Sequence, residues 1–122
     1  MISKSAEHEY DERPWGSYEV LLDETGTGFK VKRIEVKPKS RLSLQKHARR
    51  GEIWIVVKGE GIVTVGEEEV PVKTGSVVNL PKEAQHRMTN NGDEPLIFVE
   101  VQLGDYLGED DITRLQDDYN RT

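Results

Sequence analysis

Cysteine is absent from the 122 residues, which excludes disulfides and thiolate metal sites and leaves His, Glu, Asp and Gln as possible ligands. Long apolar runs are also absent, since no window approaches the roughly 18 to 20 residues that span a membrane. Basic residues are in deficit, and a net charge of −6 argues against a sequence-independent nucleic-acid binder. The N-terminal stretch MISKSAEHEYDERPWG has no apolar h-region of a secretory signal. We therefore expect a cytoplasmic protein without nucleic-acid or membrane partners.

The length suits one domain that buries a single core. Hydrophobic residues make up 34% of the chain and charged residues 33%, and the eleven glycines bring the apolar class close to the globular average. Residues 1–13 are polar, with no apolar period, and indicate a flexible N-terminal segment. The sequence therefore predicts one domain over 14–122.

Short runs typical of β-strands follow one another from Trp15 onward, separated by turn signals rich in Gly, Pro and Asp. Their spacing is about 8 to 12 residues, without helical periodicity between them, which predicts an all-β sandwich or barrel. The run FKVKRIEV changes phase, because Phe29 and Val31 alternate one way and Ile34 and Val36 the other. That change indicates a bulge near Lys32-Arg33 or a strand packed on both faces.

The chain changes character after Leu103, where the sequence reads GDYLGEDDITRLQDDYNRT. The stretch is acidic, and negative charge is favoured at the start of a helix. We expect a short C-terminal helix here, with Asp110 or Asp111 as its cap.

Polar and ionisable side chains precede the apolar run EIWIVV. Gln45 and His47 share one face of a strand, because residues i and i+2 point the same way, and Glu52 follows after the ARRG turn. His86 comes later, after a turn containing proline. Either these groups point into solvent, or they converge on a metal ion inside the barrel. Such an oxygen and nitrogen set suits Zn²⁺, Fe²⁺, Mn²⁺, Co²⁺ or Ni²⁺.

The spacing of these groups resembles the two motifs of the cupin family, which are small β-barrels with an internal metal site. The first motif corresponds to Lys39, Gln45-Lys46-His47, Glu52 and Gly59, and the second to Gly75, Pro81-Lys82-Glu83, His86 and Asn90. Lys39 and Glu83 replace motif glycines at turn positions, and Gln45 replaces the first motif histidine. The resemblance implies a double-stranded β-helix, or jelly-roll barrel.

The Gln-x-His set resembles the zinc ligands of phosphomannose isomerases, and the wider chain resembles the type II mannose-6-phosphate isomerase domain. That domain is usually found at the C-terminus of mannose-1-phosphate guanylyltransferases. The matching segments are RPWGSYEVL, FKVKRIEVKP, RLSLQKH, WIVVKGEG, PKEAQHRMTN and FVEVQLGDYLGEDDITRLQDDY. The tail GDYLGEDDI is the most specific of them. We expect a free-standing version of this domain, which acts on a small-molecule sugar phosphate.

This resemblance implies one divalent metal ion, with Zn²⁺ favoured and Co²⁺, Mn²⁺, Ni²⁺ or Fe²⁺ as alternatives. Its ligands would be Gln45, His47, Glu52 and His86. The implied reaction converts mannose 6-phosphate into fructose 6-phosphate through an enediol. It needs a general base, for which we choose Glu100, with Lys32 or a metal-bound water as alternatives. It also needs an anchor for the phosphate group of the substrate, for which Arg50, Arg87 and Lys32 are candidates, and Arg50 is counted among the catalytic residues.

Members of that family typically carry histidines where this chain has Ala48, Arg49 and Ile53. The second hypothesis is therefore a non-catalytic cupin that binds metal or sugar phosphate. A third is a metal-cupin enzyme for another small substrate, such as a dioxygenase or epimerase. Family analogy and exposed strand edges lead us to expect a homodimer.

Overall fold

The computed structural model describes residues 9–119 and contains twelve β-strands in this part of the chain. Their bounds are β1 Tyr10–Arg13, β2 Gly16–Glu24, β3 Phe29–Val36, β4 Ser40–Arg41, β5 Leu44–Lys46, β6 Arg50–Lys58, β7 Glu60–Val65, β8 Glu68–Lys73, β9 Val77–Leu80, β10 His86–Asn90, β11 Leu96–Gly104 and β12 Thr113–Gln116. One turn of 3₁₀ helix, Thr25–Thr27, joins β2 to β3. None of the described residues forms a helix long and apolar enough to cross a membrane.

The strands form two antiparallel sheets. The first has the order β1-β2-β3-β11-β6-β9, and the second has the order β12-β5-β10-β7-β8, with β4 also paired to β10. Buried side chains from both sheets meet in one core, which includes Trp54 and Phe98 from the first sheet and Val63 and Met88 from the second. Two packed antiparallel sheets confirm the predicted all-β architecture.

The inner face of the first sheet is apolar at one end and polar at the other. On β3 the buried residues are Lys30, Lys32, Ile34 and Val36. Ile34 lies opposite Phe98 of β11, whereas Lys32 lies opposite Glu100. The phase change in FKVKRIEV therefore arises because lysines continue the inward face of β3 into the polar half.

The predicted irregularity at Lys32-Arg33 lies on the neighbouring strand. β3 pairs with β11 without interruption, but its pairing with β2 shifts register between Val20 and Leu22. The extra residue, Leu21, belongs to β2, so the prediction of a bulge within β3 was wrong. The alternative, a strand packed on both faces, agrees with the half-buried outer side chains of β3.

The predicted C-terminal helix is a strand. Thr113–Gln116 forms β12 and pairs with β5, and the described residues after β11 contain no helix. Asp111 does not cap a helix. Its carboxylate accepts hydrogen bonds from the backbone N–H groups of Ala48 and Arg49, so it caps the turn between β5 and β6. Pairing with β5 satisfies backbone groups along one side of the segment, and this long-range pairing outweighs the helix-start signal of its acidic composition.

The N-terminal boundary also differs from the prediction. Tyr10–Arg13 pairs with β2 as an antiparallel strand, so these four residues belong to the sheet. The carbonyl oxygen of Glu9 also accepts a hydrogen bond from the backbone N–H of Val20, and residues 1–8 of the predicted flexible segment lie outside the described residues. The two substituted motif glycines are turn positions as predicted, since Lys39 and Glu83 have positive φ angles of 59° and 68°.

Candidate metal centre

Three buried side chains from different parts of the chain converge between the sheets. Potential ligand atoms of His47, Glu52 and His86 all lie within 4.8 Å of one another. His47 directly follows β5, Glu52 is on β6 and His86 begins β10. Glu52 faces inward because it alternates with Ile53 along β6. The predicted convergence of these three residues is therefore observed.

Hydrogen bonds to backbone carbonyls orient both imidazole rings. Nδ1 of His47 lies 2.7 Å from the carbonyl oxygen of Asp111, and Nδ1 of His86 lies 2.9 Å from that of Ala84. Each ring therefore carries its proton on Nδ1 and directs the lone pair of Nε2 towards Glu52. Metal-binding histidines are held in this way in proteins.

Burial keeps both rings neutral. It lowers the pKa of His47 to about 4, with help from the positive charge of Arg50, and it also lowers the pKa of His86. Nε2 of His86 is buried and has no hydrogen-bond partner among the described residues. A neutral ring with an unsatisfied lone pair is the state in which imidazole binds a metal.

The carboxylate of Glu52 is held by two donors. The indole N–H of Trp54 donates to Oε1 at 2.9 Å, and Nε–H of Arg50 donates to Oε2 at 2.7 Å. Glu52 also lies 3.3 Å from Nε2 of His47 and 3.8 Å from Nε2 of His86. Trp54 was not among the predicted site residues, but the alternation of Glu52 and Trp54 on one face of β6 places them side by side.

Gln45 lies next to this group. It is the register partner of His86 across β5 and β10, and its amide nitrogen donates to Oγ of Ser43 at 3.0 Å. The amide oxygen is then the atom available to a cation. The two imidazole nitrogens and the carboxylate that converge here suit Zn²⁺ or another divalent transition metal, and an amide oxygen from Gln45 would complete the predicted set.

A cavity of about 100 Å³ opens beside the centre. It is lined by Arg13, Trp15, Tyr18, Lys32, Ile34, Leu42, Ser43, Gln45, Arg50, Glu100, Glu109 and Arg114. Arg13, Tyr18, Glu109 and Arg114 were not among the predicted site residues. Arg13 lies in the segment predicted to be flexible, Glu109 and Arg114 lie in the segment predicted to contain a helix, and no motif marks Tyr18 within β2. The predicted residues Lys32, Arg50 and Glu100 do line the cavity.

Glu100 is a buried acid within this polar half of the barrel. It is 5% exposed and accepts a hydrogen bond from the side-chain amide of Gln102. Burial, reinforced by the charge of Glu52, raises the pKa of Glu100 to about 7 despite the opposing charges of Lys32 and Arg50. A carboxyl group with this pKa exchanges protons readily near neutral pH.

Arg87 does not reach the cavity, contrary to the prediction. It alternates with His86 along β10, so its side chain lies on the opposite face of the second sheet. There its guanidinium donates to the carbonyl oxygen of Leu42 at 3.0 Å and to Oε1 of Gln116 at 3.2 Å. The phosphate role assigned to Arg87 is therefore not supported, and Arg87 instead ties β10 to β12.

The three positions that lack the family histidines lie away from the cavity. Ala48 and Arg49 are exposed in the turn before β6, and Ile53 points to the outer face of β6. None of the three lines the cavity beside Glu100. Their substitution therefore leaves the inward-facing groups in place.

Residues 2–117 match the family model described as mannose-6-phosphate isomerase C-terminal. The xanthan biosynthesis protein XanB of Xanthomonas campestris pv. campestris is 47% identical over 120 residues, which are 98% of this chain and 25% of XanB. The alginate biosynthesis protein AlgA of Pseudomonas aeruginosa is 48% identical over 110 residues, 90% of this chain and 22% of AlgA. The chain thus spans about a quarter of the length of these curated relatives.

Solved structures confirm the fold. A cupin-2 domain from Rhodospirillum rubrum has a TM-score of 0.73 at 20% identity and covers 91% of this chain and 82% of its own. An oxalate decarboxylase structure has a TM-score of 0.78 at 23% identity and covers 93% of this chain and 31% of its own. Similarity at this level concerns the cupin architecture alone.

Proposed function

Because the chain belongs to the mannose-6-phosphate isomerase C-terminal family, we propose that it interconverts mannose 6-phosphate and fructose 6-phosphate with one bound divalent metal ion, Zn²⁺ being favoured. One observation carries this proposal. A single cavity brings a buried carboxyl group with a pKa of about 7 together with the cationic side chains of Lys32 and Arg50, and Arg50 also donates to Glu52 of the histidine and glutamate cluster.

The metal would be held by Gln45, His47, Glu52 and His86. When bound, it would polarise the carbonyl and hydroxyl oxygens of the sugar. The two backbone carbonyls that receive the Nδ1 protons keep the Nε2 atoms aimed at this position. Trp54 and Arg50 hold the carboxylate of Glu52 in place.

Glu100 would move the proton. Isomerisation removes a proton from the carbon next to the carbonyl group and returns a proton to the neighbouring carbon. A carboxylate with a pKa of about 7 accepts the proton in the first step and gives it back in the second. The amide of Gln102 donates to Oε2 of Glu100 and fixes the direction of the carboxyl group.

Lys32 and Arg50 would bind the anionic substrate. Lys32 is 4% exposed and lies across from Glu100 in the sheet register, and Arg50 is held beside Glu52. A phosphate group is attracted to both cations, and Nη1 of Arg50 is buried without a hydrogen-bond partner among the described residues.

The non-catalytic alternative rested on the missing histidines. Ala48, Arg49 and Ile53 lie outside the cavity, so the absence of histidine at these positions gives no reason to expect loss of proton transfer. The side chains that the catalytic hypothesis requires are therefore all present and face inward.

We also propose that two copies pair through the outer face of the first sheet. This face carries apolar side chains in adjacent positions: Val31, Ile53, Ile55, Val77, Val99, Val101 and Leu103. Val77 and Leu103 are 62% and 45% exposed. With strands about 4.8 Å apart, the patch spans roughly 400 Å², which is about half of one partner's share of a standard interface. A second copy offers the same apolar centre, and the polar rim supplies the remainder.

The dimer is tested by light scattering of wild-type protein and the Ile55→Glu variant. The wild type should have twice the mass of the chain, and the variant should have the mass of one chain. A monomeric wild type would refute the pairing.

The isomerase is tested by a coupled assay of mannose 6-phosphate conversion to fructose 6-phosphate. Protein is assayed as purified, after chelation, and after Zn²⁺, Co²⁺, Mn²⁺ or Ni²⁺ is restored in turn. We expect turnover that chelation removes and one of these metals restores. No turnover by protein with stoichiometric bound metal would refute the isomerase and favour a binding role.

A further inference from the structure

The segment Asp105–Asp111, here called the strap, crosses from β11 to β12 beside the cavity. Alternate residues of the strap bind the barrel. Asp105 pairs with Arg49, the carbonyl oxygen of Leu107 accepts from Nζ of Lys30, and Asp111 binds the turn before β6. Between these anchors, the carboxylate of Glu109 forms an ion pair with Lys32.

The partner of Glu109 is a buried cation of the cavity. The side chain of Lys32 is 5% exposed, and its Nζ lies 4.4 Å from the centre of the Tyr18 ring. Burial raises the pKa of Glu109, but the charge and hydrogen bond of Lys32, together with Arg50 and Lys30, bring it below its ordinary value. Glu109 is therefore ionised at neutral pH and neutralises Lys32.

Glu109 is one of the residues that line the cavity, and the cavity is small. Its volume of about 100 Å³ is below the roughly 300 to 1,000 Å³ of small-molecule sites. The side chain of Glu109 is 47% exposed, so it has a path into solvent, whereas the strap is anchored on both sides of it. A rotation of this side chain would free both space and a cation.

We propose that Glu109 is a specificity-determining residue: it holds Lys32 as an internal anion that a phosphate dianion displaces and a neutral sugar does not. This inference rests on the proposed use of the cavity for sugar phosphates. At equal distance a dianion is attracted to Lys32 twice as strongly as one carboxylate, whereas a neutral sugar has no charge with which to compete. Glu109 thereby favours ligands with two negative charges over neutral ligands at Lys32.

The test is calorimetric titration of the chelated protein with inorganic phosphate. Wild type is compared with Glu109→Gln and with Asp110→Asn, a matched control that removes the same charge from the next residue of the strap. We expect Glu109→Gln to bind phosphate at least tenfold more tightly than wild type, and Asp110→Asn to stay within about twofold to threefold. Equal affinities of the two variants would overturn the proposal, as would weaker binding by Glu109→Gln.

A second variant ties the effect to Lys32. In the double variant Lys32→Gln with Glu109→Gln, the gain in phosphate affinity should disappear, and retention of the gain would overturn the proposal. The titration requires no turnover, so its outcome is separate from that of the isomerase assay. An inactive protein whose Glu109→Gln variant gains affinity would refute the isomerase alone, whereas an active protein without the gain would refute the role of Glu109 alone.

Discussion

The indole N–H of Trp54 donates to Oε1 of Glu52 at 2.9 Å, and the same indole meets the ring of His86 edge-on with centroids 5.3 Å apart. Trp54 thus contacts two of the proposed metal ligands. Trp54→Phe keeps most of the packing but removes the donor. Because groups that orient metal ligands contribute strongly to affinity, we expect Zn²⁺ affinity to fall about tenfold in competition with a chromophoric chelator.

Trp15→Phe is the matched control, because it makes the same change at the other buried tryptophan. It should leave Zn²⁺ affinity within about twofold to threefold of wild type. Equal losses in both variants would show that the indole of Trp54 acts through packing and not through Glu52.

Glu100 makes stability depend on pH. An unfolded carboxyl group titrates at 4.5, and burial raises the folded pKa to about 7, so between these pH values the folded state holds a proton that the unfolded state releases. This group therefore lowers the free energy of unfolding as pH rises from 4.5 to 7. Glutamine does not ionise, so the free energy of unfolding of the chelated Glu100→Gln variant should be higher than that of wild type by up to about 3 kcal/mol at pH 8. At pH 4 the difference should be small.

Urea unfolding at both pH values measures this difference. A stability gain that is equal at pH 4 and pH 8 would contradict the raised pKa. Glu100→Gln should also lose turnover while it retains bound metal.

Glu83 adopts a left-handed backbone conformation in which glycine would be more stable. A non-glycine residue in this region costs about 1 to 2 kcal/mol, and glycine loses about 0.5 to 1 kcal/mol of backbone entropy. Glu83→Gly, at a φ of 68°, should therefore raise the free energy of unfolding by roughly 0.5 to 1 kcal/mol. Its ion pair with Lys46 is long, at 3.8 Å, and exposed, so its loss subtracts little.

Lys82→Gly is the control for this turn, because Lys82 is not among the residues with positive φ. It should destabilise the protein. Thermal unfolding that ranks Lys82→Gly above Glu83→Gly would contradict the strain at Glu83.

Substitution of Arg87 should affect stability, whereas substitution of Lys32 should affect phosphate binding. Arg87 is 4% exposed and its guanidinium bonds to Leu42 and Gln116, so Arg87→Ala should lower the free energy of unfolding by about 2 kcal/mol. Phosphate affinity should stay near that of wild type. Lys32→Gln should have the opposite profile, with weaker phosphate binding in a Glu109→Gln background. Loss of phosphate affinity in Arg87→Ala, at temperatures where it is folded, would restore Arg87 to the site.

The strand pattern and the convergence of His47, Glu52 and His86 were predictable because both follow from the two-residue period of a strand. The same period also excluded Arg87, since neighbours of an inward-facing His86 must face outward. Arg87 was nevertheless predicted to bind phosphate, because it is an arginine next in sequence to the proposed metal ligand His86. That prediction was wrong.

The strap was not predictable from local sequence. The run Glu109–Asp111 carries the composition of a helix start, but its side chains bind Lys32, 77 residues earlier, and the turn at Ala48, 63 residues earlier. Contacts at such separation leave no periodic signal in the segment itself. Similarly, only the inward phase of β3 shows that Lys32 faces the cavity.

The most direct test of the central claim is nuclear magnetic resonance of fructose 6-phosphate incubated in D₂O with metal-loaded protein. Proton transfer by Glu100 through an enediol predicts deuterium at the carbon next to the carbonyl group and formation of mannose 6-phosphate. Chelated protein and Glu100→Gln should show neither. Absence of both signals with stoichiometrically metal-loaded wild type would contradict the isomerase, and equal signals from Glu100→Gln would contradict the role of Glu100.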